Sequence, residues 1–246
     1  MSKILLLFDV DGTLTIPRLK ISSDMLELLK KLSIADDIEL GFVGGSDLNK
    51  QVEQLGIENF DLFKWKFTEN GLVSYENDKL IHKVSLVEKL GEQKYKYLIN
   101  TCLKVISETD VPVKRGNFIE LRNGMINISP IGRSCSQIER EEFYKWDKEN
   151  HIREQMIEQI QNELPNLDCD LHFSIGGQIS VDIFPKGWDK TYCLSFLQDK
   201  YKQIYFFGDK TEIGGNDYEI YNDPRVKSFH VDKYLDTMNI LQNFLK

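Results

Sequence analysis

An unbroken apolar run, Ile4–Phe8, is the feature that most constrains what this chain can fold into. A short apolar segment without polar alternation is typical of a strand that is covered on both faces, as in a parallel sheet. A helical apolar stripe follows in Ser22–Ser33, with Ser23 or Asp24 expected to cap its start, and a second strand is predicted at Ile38–Val43. Strand and helix alternate, which predicts an α/β fold with a doubly wound, mostly parallel sheet.

The middle of the chain follows a different pattern. Residues Arg115–Pro130 alternate with period two on both sides of Asn123-Gly124, the strongest short signal for a two-residue hairpin turn. A long helical stretch, Ser136–Leu164, begins with a capping box, and a second alternating segment, Leu171–Phe184, predicts another hairpin with its turn at a Gly-Gly pair. This block therefore predicts an antiparallel α+β insertion.

The parallel pattern resumes after the insertion. The segment "TYCLSFLQDK" is predicted to be helical, and it precedes an aromatic strand, Gln203–Phe207, and a last amphipathic helix near the end of the chain. We therefore predict a discontinuous core formed by residues 1–81 and 187–246, interrupted by an inserted domain at residues 82–186.

Composition excludes several classes of protein. The net charge of −8 provides no global basic field for nucleic acid. The start of the chain lacks a signal-peptide pattern, and its apolar runs fall short of the roughly 20 residues that a membrane span needs. The four cysteines stand apart without a C-x-x-C pair, which predicts free thiols in a reducing cytosol rather than a zinc site. We therefore expect a cytoplasmic protein with neither nucleic-acid nor membrane partners.

Polar side chains follow the predicted strands at the points where those strands end. In open α/β sheets, ligands bind outside the carboxyl ends of the strands. The first strand ends at two acids, the second at a Gly-Gly-Ser turn, and the aromatic strand at a further acid. Another acid closes the next loop, and a lysine lies near the helix after the insertion. The side chains expected to converge are Asp9, Asp11, Ser46, Lys190, Asp209 and Asp217.

This set favours phosphoryl transfer. Carboxylates that lie close together repel one another unless a cation lies among them, and all-oxygen ligands favour Mg²⁺. Ser46 and the glycine amides would donate to phosphate at a helix N-terminus, and Lys190 would neutralise charge on a carboxylate or phosphoryl group. The nucleophile would be a carboxylate, which forms an aspartyl-phosphate. Each motif alone is usually turn chemistry, but their combination in this order is more specific.

The combination resembles the four motifs of the haloacid-dehalogenase superfamily of phosphotransferases. The resemblance implies the core fold of that superfamily, with Asp9 as the nucleophile. It also implies that Asp11 is the general acid/base and that its backbone carbonyl ligates Mg²⁺. The matching positions, in chain order, are Asp9 and Asp11, Ser46, Lys190, and Asp209 with Asp217.

Longer strings resemble one family within that superfamily. "RGNFIELRNGMINISPIGRSCSQIER", "FSIGGQISVDIFPKGWDK", "FFGDKTEIGGND" and "VGGSD" are similar to eukaryotic phosphomannomutases, close to the human enzymes. The resemblance implies interconversion of mannose 6-phosphate and mannose 1-phosphate for GDP-mannose synthesis, with glucose phosphates as further substrates. It also implies Mg²⁺ as cofactor, a hexose 1,6-bisphosphate as activator, and a homodimer formed through the inserted domain, the cap.

The same resemblance assigns binding residues. Arginine suits bidentate phosphate recognition, and the strand alternation predicts Gln178, Ser180 and Asp182 on one face. The plainer interpretation of these residues is solvated surface polarity. The sugar-phosphate ligands implied are Arg18, Arg122, Arg133, Arg140, Gln178, Ser180 and Asp182. The metal ligands implied are Asp9, Asp11, Asp209 and Asp217, with a second cation near Tyr221 and Asp223, where Val226 would offer only its carbonyl.

Two other functions remain open at this point. A sugar-phosphate phosphatase would use the same core, but only a mutase needs the second phosphate site that the cap arginines would supply. A non-catalytic interaction protein on this fold is the third possibility, although every expected catalytic position is filled. The preference between mannose and glucose phosphates is not set by these motifs, because the two sugars differ only at C2.

Overall fold

The computed structural model describes residues 3–245 and divides the chain into two compact units. The first unit comprises both ends of the chain, up to Lys83 and from Gly187 onward, and the second, the cap, comprises Val84–Lys186. The boundaries predicted from the sequence lie after residues 81 and 186.

Residues 3–245 form eleven β-strands and eight α-helices. The strands are β1 (Ile4–Phe8), β2 (Ile38–Val43), β3 (Trp65–Thr68), β4 (Val73–Glu76), β5 (Lys79–Lys83), β6 (Ile119–Leu121), β7 (Ile126–Ile128), β8 (Leu171–Gly176), β9 (Ser180–Pro185), β10 (Gln203–Gly208) and β11 (Lys227–His230). The α-helices are α1 (Ser23–Ser33), α2 (Leu48–Leu55), α3 (Leu86–Leu90), α4 (Glu92–Glu108), α5 (Gln137–Asn150), α6 (Ile152–Glu163), α7 (Tyr218–Tyr221) and α8 (Tyr234–Leu241). Short 3₁₀ helices lie at Ile57–Leu62, Glu69–Gly71, Lys190–Phe196 and Gln242–Leu245.

The first unit is built on a seven-stranded sheet in the order β11-β10-β1-β2-β3-β4-β5. Strand β1 pairs in parallel with both β10 and β2, whereas β3, β4 and β5 form an antiparallel edge. Leu6 and Phe8 pack into a core on one face of the sheet, and Leu5 and Leu7 pack with Trp65 on the other. Both faces of β1 are therefore covered, which confirms the predicted mostly parallel, doubly wound sheet.

The cap contains a four-stranded antiparallel sheet in the order β6-β7-β9-β8. In the first hairpin, the Arg122 N–H donates to the Met125 carbonyl at 2.8 Å, so that Asn123 and Gly124 form the predicted two-residue turn. In the second hairpin Gly176 pairs with Ser180, and the turn therefore spans residues 177–179. That turn is one residue longer than the predicted Gly-Gly turn.

Several helix boundaries differ from the predictions. The Ser22 hydroxyl, rather than Ser23 or Asp24, caps α1 by accepting a hydrogen bond from the free Met25 N–H in its first turn, at 3.3 Å. The predicted stretch Ser136–Leu164 is two helices, because His151 adopts a left-handed backbone conformation with φ 54°. The segment after the insertion is a 3₁₀ helix rather than an α-helix. The predicted capping box at the start of α5 is confirmed.

The other composition-based expectations concern thiols and membranes. All four cysteines carry free thiols, and three of them are buried. Among the described residues, 3–245, no helix is both long enough and apolar enough to cross a bilayer.

A buried ion pair joins α5, α6 and the β8–β9 turn within the cap. The Arg153 Nε atom donates to Asp147 Oδ2 at 2.6 Å, and both side chains are almost fully buried. The same guanidinium donates to the carbonyls of Gly177 and Ser180 at 3.1 and 3.4 Å. Arg153 therefore fixes both ends of the turn that carries Gln178.

Arg153→Met is expected to lower the free energy of unfolding by about 3–5 kcal/mol, because it leaves the Asp147 carboxylate buried and unpaired. Urea denaturation measures this loss. Arg115→Met is the matched control: its pair with Glu139 is exposed, and its loss should cost less than about 1 kcal/mol. Equal losses in the two variants would contradict a stabilising role for the buried pair.

Candidate active site

Asp9 lies immediately after β1 and begins the candidate site. Its backbone N–H donates to the Phe207 carbonyl at 2.9 Å, which holds it beside the end of β10. Lys190, at the start of the 3₁₀ helix after the cap, donates from Nζ to Asp9 Oδ1 and, at 2.6 Å, to Asp217 Oδ1. All three side chains are buried, so the ammonium group bridges two carboxylates away from solvent.

Three carboxylates converge at this point. Asp9, Asp209 and Asp217 each offer an oxygen atom, and these atoms lie within 4.8 Å of one another. Asp9 Oδ2 and Asp209 Oδ1 are buried and have no hydrogen-bond partner among residues 3–245, whereas Asp217 Oδ2 accepts the Lys210 N–H at 3.1 Å. One ammonium for three carboxylates leaves an excess of negative charge. The unpartnered oxygens and the all-oxygen donor set fit a divalent cation such as Mg²⁺.

The electrostatics of the cluster follow from its burial. Burial raises the pKa of Asp9 to about 7, against the opposing attraction of Lys190, and the charge of Asp217 raises it further. Burial alone would lower the pKa of Lys190, but Asp217 and Asp9 outweigh it and raise that pKa. Burial also raises the pKa of Asp209. The cluster therefore holds a cationic lysine and carboxylates that need a further positive charge.

The tight turn after Asp9 depends on Gly12. Its φ of +90° is a conformation that side-chain-bearing residues rarely adopt, and a Cβ atom there would overlap the Asp209 carboxylate. The Leu14 and Thr15 amides both donate to the Val10 carbonyl, at 3.0 and 3.1 Å, which closes the turn. Gly12 therefore permits the close approach of this turn to β10.

Asp11 has different partners from Asp9. Its carboxylate accepts hydrogen bonds from the Arg18 backbone N–H at 2.8 Å and from Gln54 Nε2 at 2.7 Å. Burial acts to raise the pKa of Asp11, but these two hydrogen bonds and the nearby charges of Lys50 and Lys210 together outweigh it and lower the pKa. The two neighbouring acids are therefore held apart by separate sets of partners.

Ser46 lies in the loop that follows β2. Its carbonyl accepts the Glu69 N–H at 3.0 Å, and the Gly44 carbonyl accepts the Asn70 N–H at 2.9 Å. The cap of α2 is the next residue, Asp47, whose side chain accepts the Lys50 N–H at 2.9 Å. Ser46 thus precedes a helix N-terminus by two residues. Arg18, also in the first unit, lies on an exposed loop with φ 66°.

At the predicted second cation site, the side chain of Asp223 is paired with an arginine. Both carboxylate oxygens of Asp223 accept hydrogen bonds from Arg225, at 2.8 and 2.6 Å. Those hydrogen bonds lower the pKa of Asp223. Within the described part of the chain, neither Tyr221 nor Asp223 belongs to the group of converging carboxylates. Arg225 therefore neutralises the Asp223 carboxylate, and a cation bound at this carboxylate would share it with the guanidinium.

The cap sheet carries a row of polar side chains across all four strands. Glu120 on β6, Asn127 on β7, Asp182 on β9 and Ser174 on β8 stand opposite one another in register. Asn127 Nδ2 donates to Asp182 Oδ1 at 2.6 Å. We refer to this row as the polar face of the cap.

Most of the predicted sugar-phosphate ligands of the cap lie at this polar face. Arg122 and Arg133 contact Glu120 at 2.8 and 2.7 Å, and Arg133 also donates to Asn127. The Ser180 hydroxyl donates to the Gly176 carbonyl at 2.9 Å. Arg140 lies in the first turn of α5, with no ion pair among residues 3–245.

Gln178 departs from the sequence prediction. It lies in the β8–β9 turn rather than on β9, so the strand alternation does not place it on one face with Ser180 and Asp182. Sequence reasoning also missed Glu120 and Asn127 as partners of the predicted ligands. Strand alternation could have identified Glu120, because it lies two positions before Arg122 and therefore on the same face.

The chain is similar in sequence to one family of known proteins. The family model of eukaryotic phosphomannomutase matches residues 25–246. A Dictyostelium discoideum protein named phosphomannomutase 1 is 55% identical, covering 96% of this chain and 94% of its own length. A Galdieria sulphuraria phosphomannomutase is 53% identical over 97% of this chain and 93% of its own length. A Saccharomyces cerevisiae phosphomannomutase is 52% identical over 96% and 92%, respectively.

Solved structures share the fold at much lower sequence identity. An Aspergillus fumigatus trehalose-6-phosphate phosphatase is similar with a TM-score of 0.60 at 17% identity, covering 99% of this chain and 93% of that chain. A Plasmodium falciparum IMP-nucleotidase has a TM-score of 0.63 at 14% identity, covering 99% of this chain and 68% of that chain. The fold is therefore that of haloacid-dehalogenase-type phosphatases: a mostly parallel core sheet with an inserted antiparallel cap.

Proposed function

This chain belongs to the eukaryotic phosphomannomutase family, and we propose that it interconverts mannose 6-phosphate and mannose 1-phosphate. The observation that carries this proposal is the buried cluster in which Lys190 joins Asp9 and Asp217, with Asp209 alongside and Asp11 held separately. Such a cluster supplies a nucleophile, a fixed positive charge and a separate acid/base. The reaction would feed GDP-mannose synthesis in the cytoplasm.

The residues of the first unit would divide the chemistry between them. Asp9 attacks phosphorus and carries the phosphoryl group as an aspartyl-phosphate, while Lys190 orients its carboxylate. Asp11 takes the proton from the attacking sugar hydroxyl and returns one to the leaving sugar oxygen. Ser46 donates to a phosphoryl oxygen. Arg18 contributes charge from its exposed loop.

The metal would be Mg²⁺, held by the side chains of Asp9 and Asp209 and the backbone carbonyl of Asp11. Both oxygens of Asp217 already accept hydrogen bonds, and we therefore assign Asp217 chiefly to holding Lys190. When bound, Mg²⁺ neutralises charge on the carboxylates and on phosphoryl oxygens.

A mutase must move a phosphoryl group between two ends of one sugar. The phosphorylated enzyme gives its phosphoryl group to the free 6-hydroxyl of mannose 1-phosphate, which forms mannose 1,6-bisphosphate. Asp9 then accepts the phosphoryl group from C1, and mannose 6-phosphate leaves. A hexose 1,6-bisphosphate primes Asp9 in the same way. We propose that the cap arginines and the polar face, with Ser180 and Asp182, bind the sugar and the phosphate that is not reacting. A homodimer formed through the cap, and activity on glucose phosphates, belong to the same proposal.

One assay tests the proposed reaction. The protein is incubated with mannose 1-phosphate, Mg²⁺ and a catalytic amount of glucose 1,6-bisphosphate, and the products are resolved by ³¹P NMR. We expect mannose 6-phosphate as the main product, with turnover lost when either Mg²⁺ or the bisphosphate is omitted. Free phosphate as the main product would instead identify a phosphatase. Repeating the assay with glucose 1-phosphate measures the sugar preference.

A further inference from the structure

The two carboxylate oxygens of Asp11 have unequal surroundings. Oδ1 accepts two hydrogen bonds, from the Arg18 N–H at 2.8 Å and from Gln54 Nε2 at 2.7 Å. Oδ2 accepts none from residues 3–245. An oxygen that accepts two N–H donors cannot take up a proton without losing one of those bonds. A proton bound by Asp11 therefore belongs on Oδ2.

Gln54 is held in place from two directions. Its side chain is almost fully buried on α2, and its backbone carbonyl accepts the Ile21 N–H at 2.8 Å. The same Nε2 lies 3.3 Å from the Thr15 hydroxyl oxygen, which itself donates to the Val10 carbonyl at 3.3 Å. Asp11 Oδ1 and the Thr15 hydroxyl oxygen therefore both act as acceptors here. The amide nitrogen of Gln54, and not its oxygen, must face them, which fixes the orientation of the amide group.

We propose that Gln54 is a positioning residue that directs proton transfer through Oδ2 of Asp11. As the sugar oxygen bonds to phosphorus and the Asp9–phosphorus bond breaks, the hydroxyl proton moves to Oδ2, and in the reverse step Oδ2 returns it. Gln54 and the Arg18 amide keep Oδ1 occupied and hold the carboxyl group against rotation. This inference rests on the proposed function, in which Asp11 is the acid/base.

Phosphoryl donors with different leaving groups separate this role from a merely structural one. The sugar alkoxide must be protonated as it leaves, whereas acetate leaves acetyl phosphate without a proton. Loss of proton transfer should therefore slow phosphorylation of Asp9 by glucose 1,6-bisphosphate but not by acetyl phosphate. General acid/base catalysis contributes about 10²–10⁴-fold to rates. A variant in which the Asp11 carboxyl group is no longer held in position should lose a factor at the lower end of that range.

The variant to test is Gln54→Met, which keeps the length of the side chain and removes its donors. We expect kcat of the mutase reaction, and the rate of phosphorylation by the bisphosphate, to fall about 10²-fold with KM little changed. Phosphorylation by acetyl phosphate should stay within about twofold of wild type. Gln54→Glu, which replaces the donor with an acceptor, should show the same donor dependence and serves if the Met variant does not fold.

Glu53→Gln is the matched control, because Glu53 is the adjacent, exposed residue of α2, and it should match wild type with both donors. Equal slowing with both donors would overturn the proposal in favour of a structural role, and so would unchanged kinetics. If wild type itself failed to make mannose 6-phosphate, the proposed function would fail, whereas the two-donor comparison would still report on Gln54.

Discussion

Asp9→Asn is expected to lower kcat of the mutase reaction by about 10⁴-fold or more, because an amide oxygen cannot form the phospho-enzyme. The substitution keeps the size of the side chain and the oxygen that accepts from Lys190. The phospho-enzyme should be undetectable by intact-mass spectrometry after incubation with glucose 1,6-bisphosphate. Wild type, treated in the same way, should gain the mass of one phosphoryl group.

The same variant should fold at least as stably as wild type in metal-free buffer. The folded-state pKa of Asp9, about 7, lies above its ordinary value, so the folded protein binds the proton more tightly than the unfolded chain does. Stability from this group is therefore present at low pH and is lost as pH rises toward 7. An Asn side chain removes that loss, and the melting temperature at pH 8 should equal or exceed that of wild type. Turnover retained by a well-folded Asp9→Asn enzyme would overturn the assignment of the nucleophile.

The convergence of Asp9 and Asp209 was predictable because it follows from topology. Parallel strands place their carboxyl ends at one edge of a sheet, and β1 and β10 are adjacent in register. An acid that follows each strand must then lie near the other. For Lys190, the sequence indicated only that it would lie near these acids. Its direct hydrogen bond to Asp9 joins residues 181 positions apart, and no local pattern predicts such a contact.

Gln54 shows why other parts of the site escaped prediction. Glutamine on a short helix is ordinarily a solvated residue, and no local pattern reveals that Gln51 and Gln54 both lie on the buried side of α2. Its partner Asp11 lies 43 positions away. The break at His151 escaped for a different reason: the left-handed residue there lies inside a sequence whose helical pattern continues on both sides.

Lys190→Met is expected to lower both stability and turnover, because the Lys190 ammonium group is the hydrogen-bond partner shared by two buried carboxylates of the cluster. Its removal leaves Asp9 and Asp217 buried without their shared partner, and loss of one partner of a buried pair costs about 3–5 kcal/mol. We also expect kcat to fall about 10³-fold, since the charge that orients the nucleophile and stabilises the transferring phosphoryl group is lost. Urea denaturation in EDTA and mutase kinetics measure the two losses.

Adding Asp217→Asn to Lys190→Met separates the two effects. The double variant buries one carboxylate fewer and should recover much of the lost stability, but it still lacks the ammonium group and should remain inactive. Millimolar Mg²⁺ should also stabilise the single variant more than it stabilises wild type. A cation that binds only the folded state would replace part of the positive charge that Lys190 supplied to the buried carboxylates. If the double variant regained turnover together with stability, Lys190 would be a structural counter-ion only, and its role in orienting Asp9 would be wrong.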